Sequence, residues 1–501
     1  MKRYSFLMAA AMLAVIGCEK SPEEINSNAE GNVYMQFSVK MLTTKSSTDG
    51  PGVGDSNSNA DPDIEVGLDK ENKISSVDIV LVGTNTVKAD GIEIAQANTS
   101  TYVAKFNNKS LKEGDQYKVY IYANCNAPDP FESDKFLNQI SEASITSMTQ
   151  DNNFWMTNAY APDAITLPDL AFYTTPQTPY NLGEYVVERS MARFDYKQAA
   201  AFDMGAGLTL TLTEAALINQ SKAHYMFRRV AKTIDATPEV GGVETPTNWV
   251  VDTDWSNKVA DNFNAQLSAP ASWTWTPLSG LTVDDNDYPD DYKIWCYAKE
   301  NTIPGVEAQK HAVSTGVVFK AELTAGETAS AAVKAAMEAR KRIYVFNNTL
   351  YGAWSDVKAL ATAKGAEPTL AAAYNQAIVG MAADATDPIS AKAAAAGFTG
   401  YSTKDGKYYN YYYYWNRHND NNDNNTMGIM EFAVVRNNVY KLAVESISRF
   451  GHPTPPTDPT NPTDPDPDPV DPEDPDESVN YYFNVTVKVL PWTVRINKIE
   501  F

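Results

Sequence analysis

Three cysteines and four histidines hold most of this sequence's capacity for covalent or metal chemistry. Cys18 stands in the clearest setting. Val15-Ile16-Gly17-Cys18 has the form of a bacterial lipobox, in which the thiol receives diacylglycerol and cleavage before it frees an acylated N-terminus. The preceding residues suit that chemistry. Lys2 and Arg3 supply positive charge, Phe6 to Ile16 form an apolar run, and Gly17 is small. The run is too short to span a bilayer stably. Residues 1–17 therefore read as a signal peptide, and Cys18 as the lipid attachment that ties the precursor to an outer membrane. Glu19, Glu23 and Glu24 follow in a polar spacer that suits its outer face.

Cys125 and Cys296 lie in strand-like runs and read as separate buried thiols rather than a pair. His224, His311, His418 and His452 show no paired spacing such as His-x-x-x-His. No Gly-x-Ser-x-Gly, P-loop or Gly-x-Gly-x-x-Gly pattern places a nucleophile or cradles a phosphate. The expectation is a chain with no catalytic residues, no cofactor and no metal. Asn419 to Asn425, with Glu431 beyond, has the acidity of a calcium loop but lacks its central glycine and helical flanks, so it reads as a hairpin loop. Asp284 to Asp291 reads as a solvated acidic turn. Tyr408 to Trp415 is an aromatic run that could stack on glycans; its better reading is a strand with half its rings facing a core.

Composition sets the frame for these residues. At 501 residues the chain exceeds one ordinary core, so two domains are expected. Hydrophobic content of 43% and aromatic content of 11% favour packed β structure. A net charge of -22 repels nucleic acid, which excludes it as a partner.

The strand pattern is most telling at the two ends. Val33, Met35, Phe37, Val39 and Met41 alternate with wetter residues, which predicts a strand with one buried face. It breaks into a Gly, Ser, Asn and Asp-rich loop, Asp49 to Asp63. Strands are expected again at Ile74 to Val82, Tyr117 to Ala123, Val186 to Asp195 (opening the second domain), Leu208 to Leu212 and within Phe432 to Ile447. Ala-rich stretches from Ala331 to Ala396 predict short helices. Pro453 to Pro475 is an Asp-Pro tract that reads as an extended spacer reaching on the order of 70 Å. After it, Phe483, Val485, Val487 and Val489 alternate again, Pro491 interrupts, Trp492 could anchor the corner, and Val494 and Ile496 resume. Such a tail cannot fold alone and needs a sheet edge, which the spacer lets it seek on another molecule. If a protease cuts the loop after Lys45, leaving Ser46 as the new N-terminus, the first strand can leave and the tail of the next copy can fill its slot. That exchange is head-to-tail and does not close, so it makes a fibre. The rival reading is a non-polymerising surface lipoprotein that binds glycans or a host protein.

The chain resembles the fimbrillins of type V pili from Bacteroidales, in particular the stalk subunit of the short (minor) fimbriae. The resemblance rests on the lipobox at Cys18, Val187-Glu188-Arg189-Ser190-Met191-Ala192-Arg193, Val434-Val435-Arg436-Asn437-Asn438-Val439-Tyr440 leading into the Asp-Pro tract, and Val487-Lys488-Val489-Leu490-Pro491-Trp492-Thr493-Val494. It implies two transthyretin-like β-sandwich domains with short helices in the second, a Pro-rich linker and C-terminal donor strands. It also implies homopolymerisation at the cell surface, accessory tip and anchor proteins, and surface receptors on host or bacterial cells. In that family the cut usually follows arginine; here the matching place carries Lys45. The expected division is 1–17 signal peptide, 18–45 propeptide with the removable strand, 46–185 and 186–450 β domains, 451–478 linker and 479–501 donor strands.

Overall fold

Alternating apolar residues make the first strand, and the same period of two recurs along the chain. The computed structural model describes residues 31–41, 67–95, 100–129, 131–132, 136–233, 235–241, 248–281, 292–419, 421, 423, 426–455 and 470–477, and the backbone of 483–491. In chain order, the first unit holds β1 (Asn32–Met41), α1 (Asp69–Asn72), β2 (Val77–Val82), β3 (Thr86–Lys88), β4 (Gly91–Ile94), β5 (Thr101–Asn107), β6 (Gln116–Ala123), β7 (Met156–Asn158), β8 (Ala164–Thr166) and β9 (Tyr180–Arg189). These strands form one nine-stranded sheet in the order β3-β2-β6-β7-β9-β1-β5-β4, with β8 also on β6. Residues from both ends of that order meet in one core, Ile79 and Leu81 from β2 with Ala104 and Phe106 from β5, so the sheet wraps around its apolar face.

The second unit begins where the chain crosses at Ser190 and Met191. Its strands are β10 (Ala192–Lys197), β11 (Phe202–Gly205), β12 (Leu208–Ile218), β13 (Tyr292–Ala298) and β14 (Gly316–Ala325). Then come β15 (Ile343–Phe346), β16 (Thr349–Tyr351), β17 (Thr399–Tyr401), β18 (Tyr408–Trp415), β19 (Asn438–Ile447) and β20 (Phe483–Pro491). One sheet runs β13-β10-β19-β20 and another β11-β12-β14-β18. Phe194, Tyr440 and Leu442 from the first meet Leu210, Phe319 and Tyr412 from the second in a shared core, the packing of a sandwich.

The Ala-rich region is helical as its composition predicts: α2 (Ala331–Glu338), α3 (Trp354–Ala361), α4 (Pro368–Ala377) and α5 (Ser390–Ala395). Ser330 caps α2 by accepting from the Val333 amide at 3.2 Å, and Pro368 opens α4, where its missing N–H costs nothing. α3, α4 and α5 share a small core around Trp354 and Phe398, whereas α2 packs Val333 and Ala336 into the sandwich core. The chain is thus mainly β with few short helices. The stretch expected to open the second domain, Val186 to Asp195, is divided: β9 completes the first sheet and β10 starts the next.

Candidate assembly site

β1 lies inside the first sheet, parallel to β9 on one side and antiparallel to β5 on the other. Val33, Met35 and Phe37 are fully buried and Val39 nearly so, while Met41 is half-buried at the strand's end. Phe37 stacks on Tyr102 with ring centroids 5.6 Å apart. Burying four such side chains contributes roughly 6–12 kcal/mol at about 1.5–3 kcal/mol each. The opposite face is wetter: Ser38 Oγ meets Thr101 Oγ1 at 3.1 Å, and Lys40 pairs with Glu184 in an exposed ion pair. Withdrawal of β1 would open a slot between β5 and β9, each with a row of unpaired backbone groups facing an apolar floor.

The last strand occupies a different place. β20 pairs antiparallel with β19 of its own chain, at the end of the β13-β10-β19-β20 sheet. Val485, Val487 and Val489 stand opposite Val444, Leu442 and Tyr440, with a register shift between Val444 and Ser446. The tail therefore finds a sheet edge in its own second unit, contrary to the expectation that it must look for one elsewhere. β19 is an edge when β20 is absent, and its alternation matches that of the tail. Cys18, Lys45, Ser46, Trp492, Val494 and Ile496 lie outside the described residues.

Where the chain passes from the first sheet to the next lies a buried polar junction. Arg193 has no exposed surface; its Nε and Nη2 donate to the two oxygens of Asp195 at 2.8 Å each, and its Nη1 to Glu71 Oε2 at 2.9 Å. Glu71 also accepts from Tyr297 Oη at 2.7 Å and from the Leu68 amide at 2.8 Å. Burial and the Glu71 carboxylate together hold the Tyr297 hydroxyl well above its usual range. Asn437 adopts a left-handed conformation (φ 55°), which Asn tolerates; its side chain accepts from Arg189 Nη1 at 3.3 Å, and its amide donates to Met191 O at 2.8 Å. Next to it, Arg436 Nη2 donates to Glu300 Oε2 at 2.6 Å, and Arg228 holds Glu188. Two of the segments that carry the family resemblance, 187–193 and 434–440, thus meet here. β10 and β19 run parallel from this junction, Val439 in the first core and Tyr440 in the second. Their charged residues inside apolar runs were the available signal, but no spacing rule names Glu71 as their partner.

The other candidate residues take structural places. Tyr408, Tyr412 and Tyr414 face the sandwich core, and Tyr411 and Trp415 a second cluster with Trp273, so both faces of β18 are covered rather than one; Tyr409 and Tyr413 are half-buried. Glu431 is held by Arg417 and by the Gly428 amide at 2.6 Å. Asp420 and the loop 284–291 lie outside the described residues. All four histidines are buried. His224, His311 and His418 each have Nδ1 against one oxygen: Ser141 O at 3.1 Å, Asp471 O at 3.0 Å and Tyr440 Oη at 3.0 Å. Among the described residues no group of His, Cys, Asp or Glu has the arrangement of a metal site, and no helix is long and apolar enough to cross a membrane. Cys125 and Cys296 are separate thiols; burial pushes Cys125 up to about 12 and Cys296 higher still.

The Pro-rich tract departs from expectation at both ends. His452 exchanges backbone hydrogen bonds with Tyr411 (2.8 and 2.9 Å), and residues 470–477 lie against the second unit. Backbone bonds from Ala312 to Pro472 (2.9 Å), His311 to Asp474 (3.1 Å) and Asp476 to Gln309 (3.2 Å) hold them there. Proline forbids donation, not acceptance, so the tract still pairs through its carbonyls. Val470, the single aliphatic side chain between Pro453 and Glu477, packs beside the Trp415 cluster. That lone apolar residue was the sequence signal of a docked segment.

No curated protein matches the chain. Among solved structures, a candidate cell adhesion protein from Parabacteroides distasonis is similar at 12% identity and TM-score 0.38, over 93% of this chain and 97% of that one. A second, from Bacteroides eggerthii, is similar at 10% identity and TM-score 0.34, over 93% and 98%. Residues 406–498, which contain β18, β19, the Pro-rich tract and β20, match the family model described as major fimbrial subunit protein type IV, fimbrillin, C-terminal. In that region, the chain is fimbrillin-like.

Proposed function

We propose that the chain is a structural subunit of a cell-surface fimbrium at the outer membrane. It is exported as a lipoprotein through Cys18, cut after Lys45, and joined to its neighbours when the last strand of one copy fills the slot that β1 leaves in the next. The observation that carries this reading is the pairing state of the two end strands. β1 lies in the middle of a sheet with a strand paired on each side, and among the described residues β20, apolar-patterned in sequence, is paired on one side. Accessory tip and anchor proteins and surface receptors would be the partners of such a fibre, with adhesion or biofilm formation as its task; the mechanism is binding and needs no catalysis. Deleting residues 479–501 tests the reading: ladders of undissociated subunits on gels of unboiled samples should vanish. A mature N-terminus at Ser46 on assembled fibres is the second expected result; an acylated Cys18 on those fibres sinks strand removal.

The pairing of β20 with its own β19 favours a second reading, a surface lipoprotein that keeps β1 and uses its tail internally. That protein would form no ladders, with or without residues 479–501.

A further inference from the structure

The docked end of the Pro-rich tract sets where the last strand starts from, and this inference rests on the strand-exchange reading above. Residues 470–477 are tied down by more than backbone bonds. Lys310 and Pro475 form an antiparallel bridge, Lys310 Nζ meets Glu473 Oε2 at 2.9 Å, and His311 Nδ1 lies 3.0 Å from Asp471 O. Asp476 is completely buried and accepts from Ser314 Oγ. Glu477 accepts from Arg417 Nη2 at 2.8 Å, and Arg417 in turn pairs with Glu431. None of these contacts involves β20 or β19. Among the described residues the strap and the last strand are thus bonded to different partners, so one could leave while the other stays.

We propose that residues 470–477 form a fixed strap that remains seated on the second unit when the last strand passes to a neighbouring copy of this chain. The free tether then begins after Glu477 rather than at Pro453. Six residue steps separate Glu477 from Phe483, so the neighbour must present its slot within about 20 Å of Glu477. A spacer free along its whole length would reach on the order of 70 Å and would leave the angle between subunits open. The strap makes the joint short, and with it the relative placement of successive copies.

A reversible lock tests this. Bridged antiparallel residues have Cα atoms about 4.5–5.5 Å apart, within disulfide range, so Lys310→Cys with Pro475→Cys should oxidise in the full chain. The expected result is ladders like those of the unmodified chain, built from subunits that each carry the intact bridge by peptide mass mapping. Fibres built only from reduced subunits, or ladders that appear only with dithiothreitol, overturn the strap; so does failure of the two thiols to join in the unassembled precursor. A second variant guards against a folding defect in the first. Asp476→Cys should react with iodoacetamide as slowly in fibres as in precursor, and fast labelling confined to fibres overturns the proposal. If the chain lacking residues 479–501 still forms ladders, the strand-exchange reading itself is wrong, whichever way the lock behaves.

Discussion

The first and last strands share a two-residue apolar alternation but differ in what surrounds them. β1 has a neighbour on each side and contributes four buried side chains to the first core. β20 has β19 on one side. On leaving, a strand bonded on both sides gives up two ladders and one bonded on a single side gives up one, at about 1 kcal/mol net per bond. The difference teaches that the proposed exchange would need two separate events. An edge strand can detach from its own body by giving up one ladder, whereas the inner strand is held by two ladders and by its burial together, so that its release would first need the proposed cut.

Four measurements break or sharpen this contrast. The largest effect belongs to the tail: Val487→Asp should abolish the ladders outright, because a charge in the tail's apolar alternation cannot be buried in a slot lined for Val33, Met35, Phe37 and Val39. Ladders at normal yield would show that the tail fills no apolar slot. Next, Arg193→Met leaves Glu71 and Asp195 buried without their cation. It should lower precursor stability by about 3–5 kcal/mol in urea unfolding. A change below 1 kcal/mol would mean the junction does not couple the units. Of similar or slightly smaller size, Phe37→Ala should cost about 3–4 kcal/mol in the precursor and nothing in mature subunits taken from fibres. Equal loss in both would show that β1 never leaves. The smallest effect is on the wet face of the same strand: Ser38→Ala removes one half-buried hydroxyl contact and should cost about 0.5–1 kcal/mol.

Much of this arrangement was legible in residue order. The alternation at Val33 to Met41 and at Leu208 to Leu212 depends only on local period, and strands stand at both places. The Ala-rich segments became helices because propensity and caps such as Ser330 act within one turn. The boundary near Val186 was less legible. Val187 and Phe194 are equally apolar, and only their partners, β7 and β1 for one strand and β13 and β19 for the other, divide the run between two sheets. The aromatic run shows the same limit: period two reveals that Tyr411 and Tyr412 face opposite ways, not that both directions are covered.

Period, propensity and charge are local properties, so the amino-acid order alone determined that this chain is mainly β, has short helices late in its course and carries apolar-patterned strands near both ends. Which edge receives the last strand, which carboxylate meets Arg193 and where the Pro-rich tract is tied down depend on groups distant along the chain, as far apart as Glu71 and Arg193 or Ser314 and Asp476. Those pairings were decided by the tertiary structure, because a buried charge or an open strand edge is satisfied by whatever group the completed fold brings within hydrogen-bonding distance, and nothing in the neighbouring residues encodes that distance.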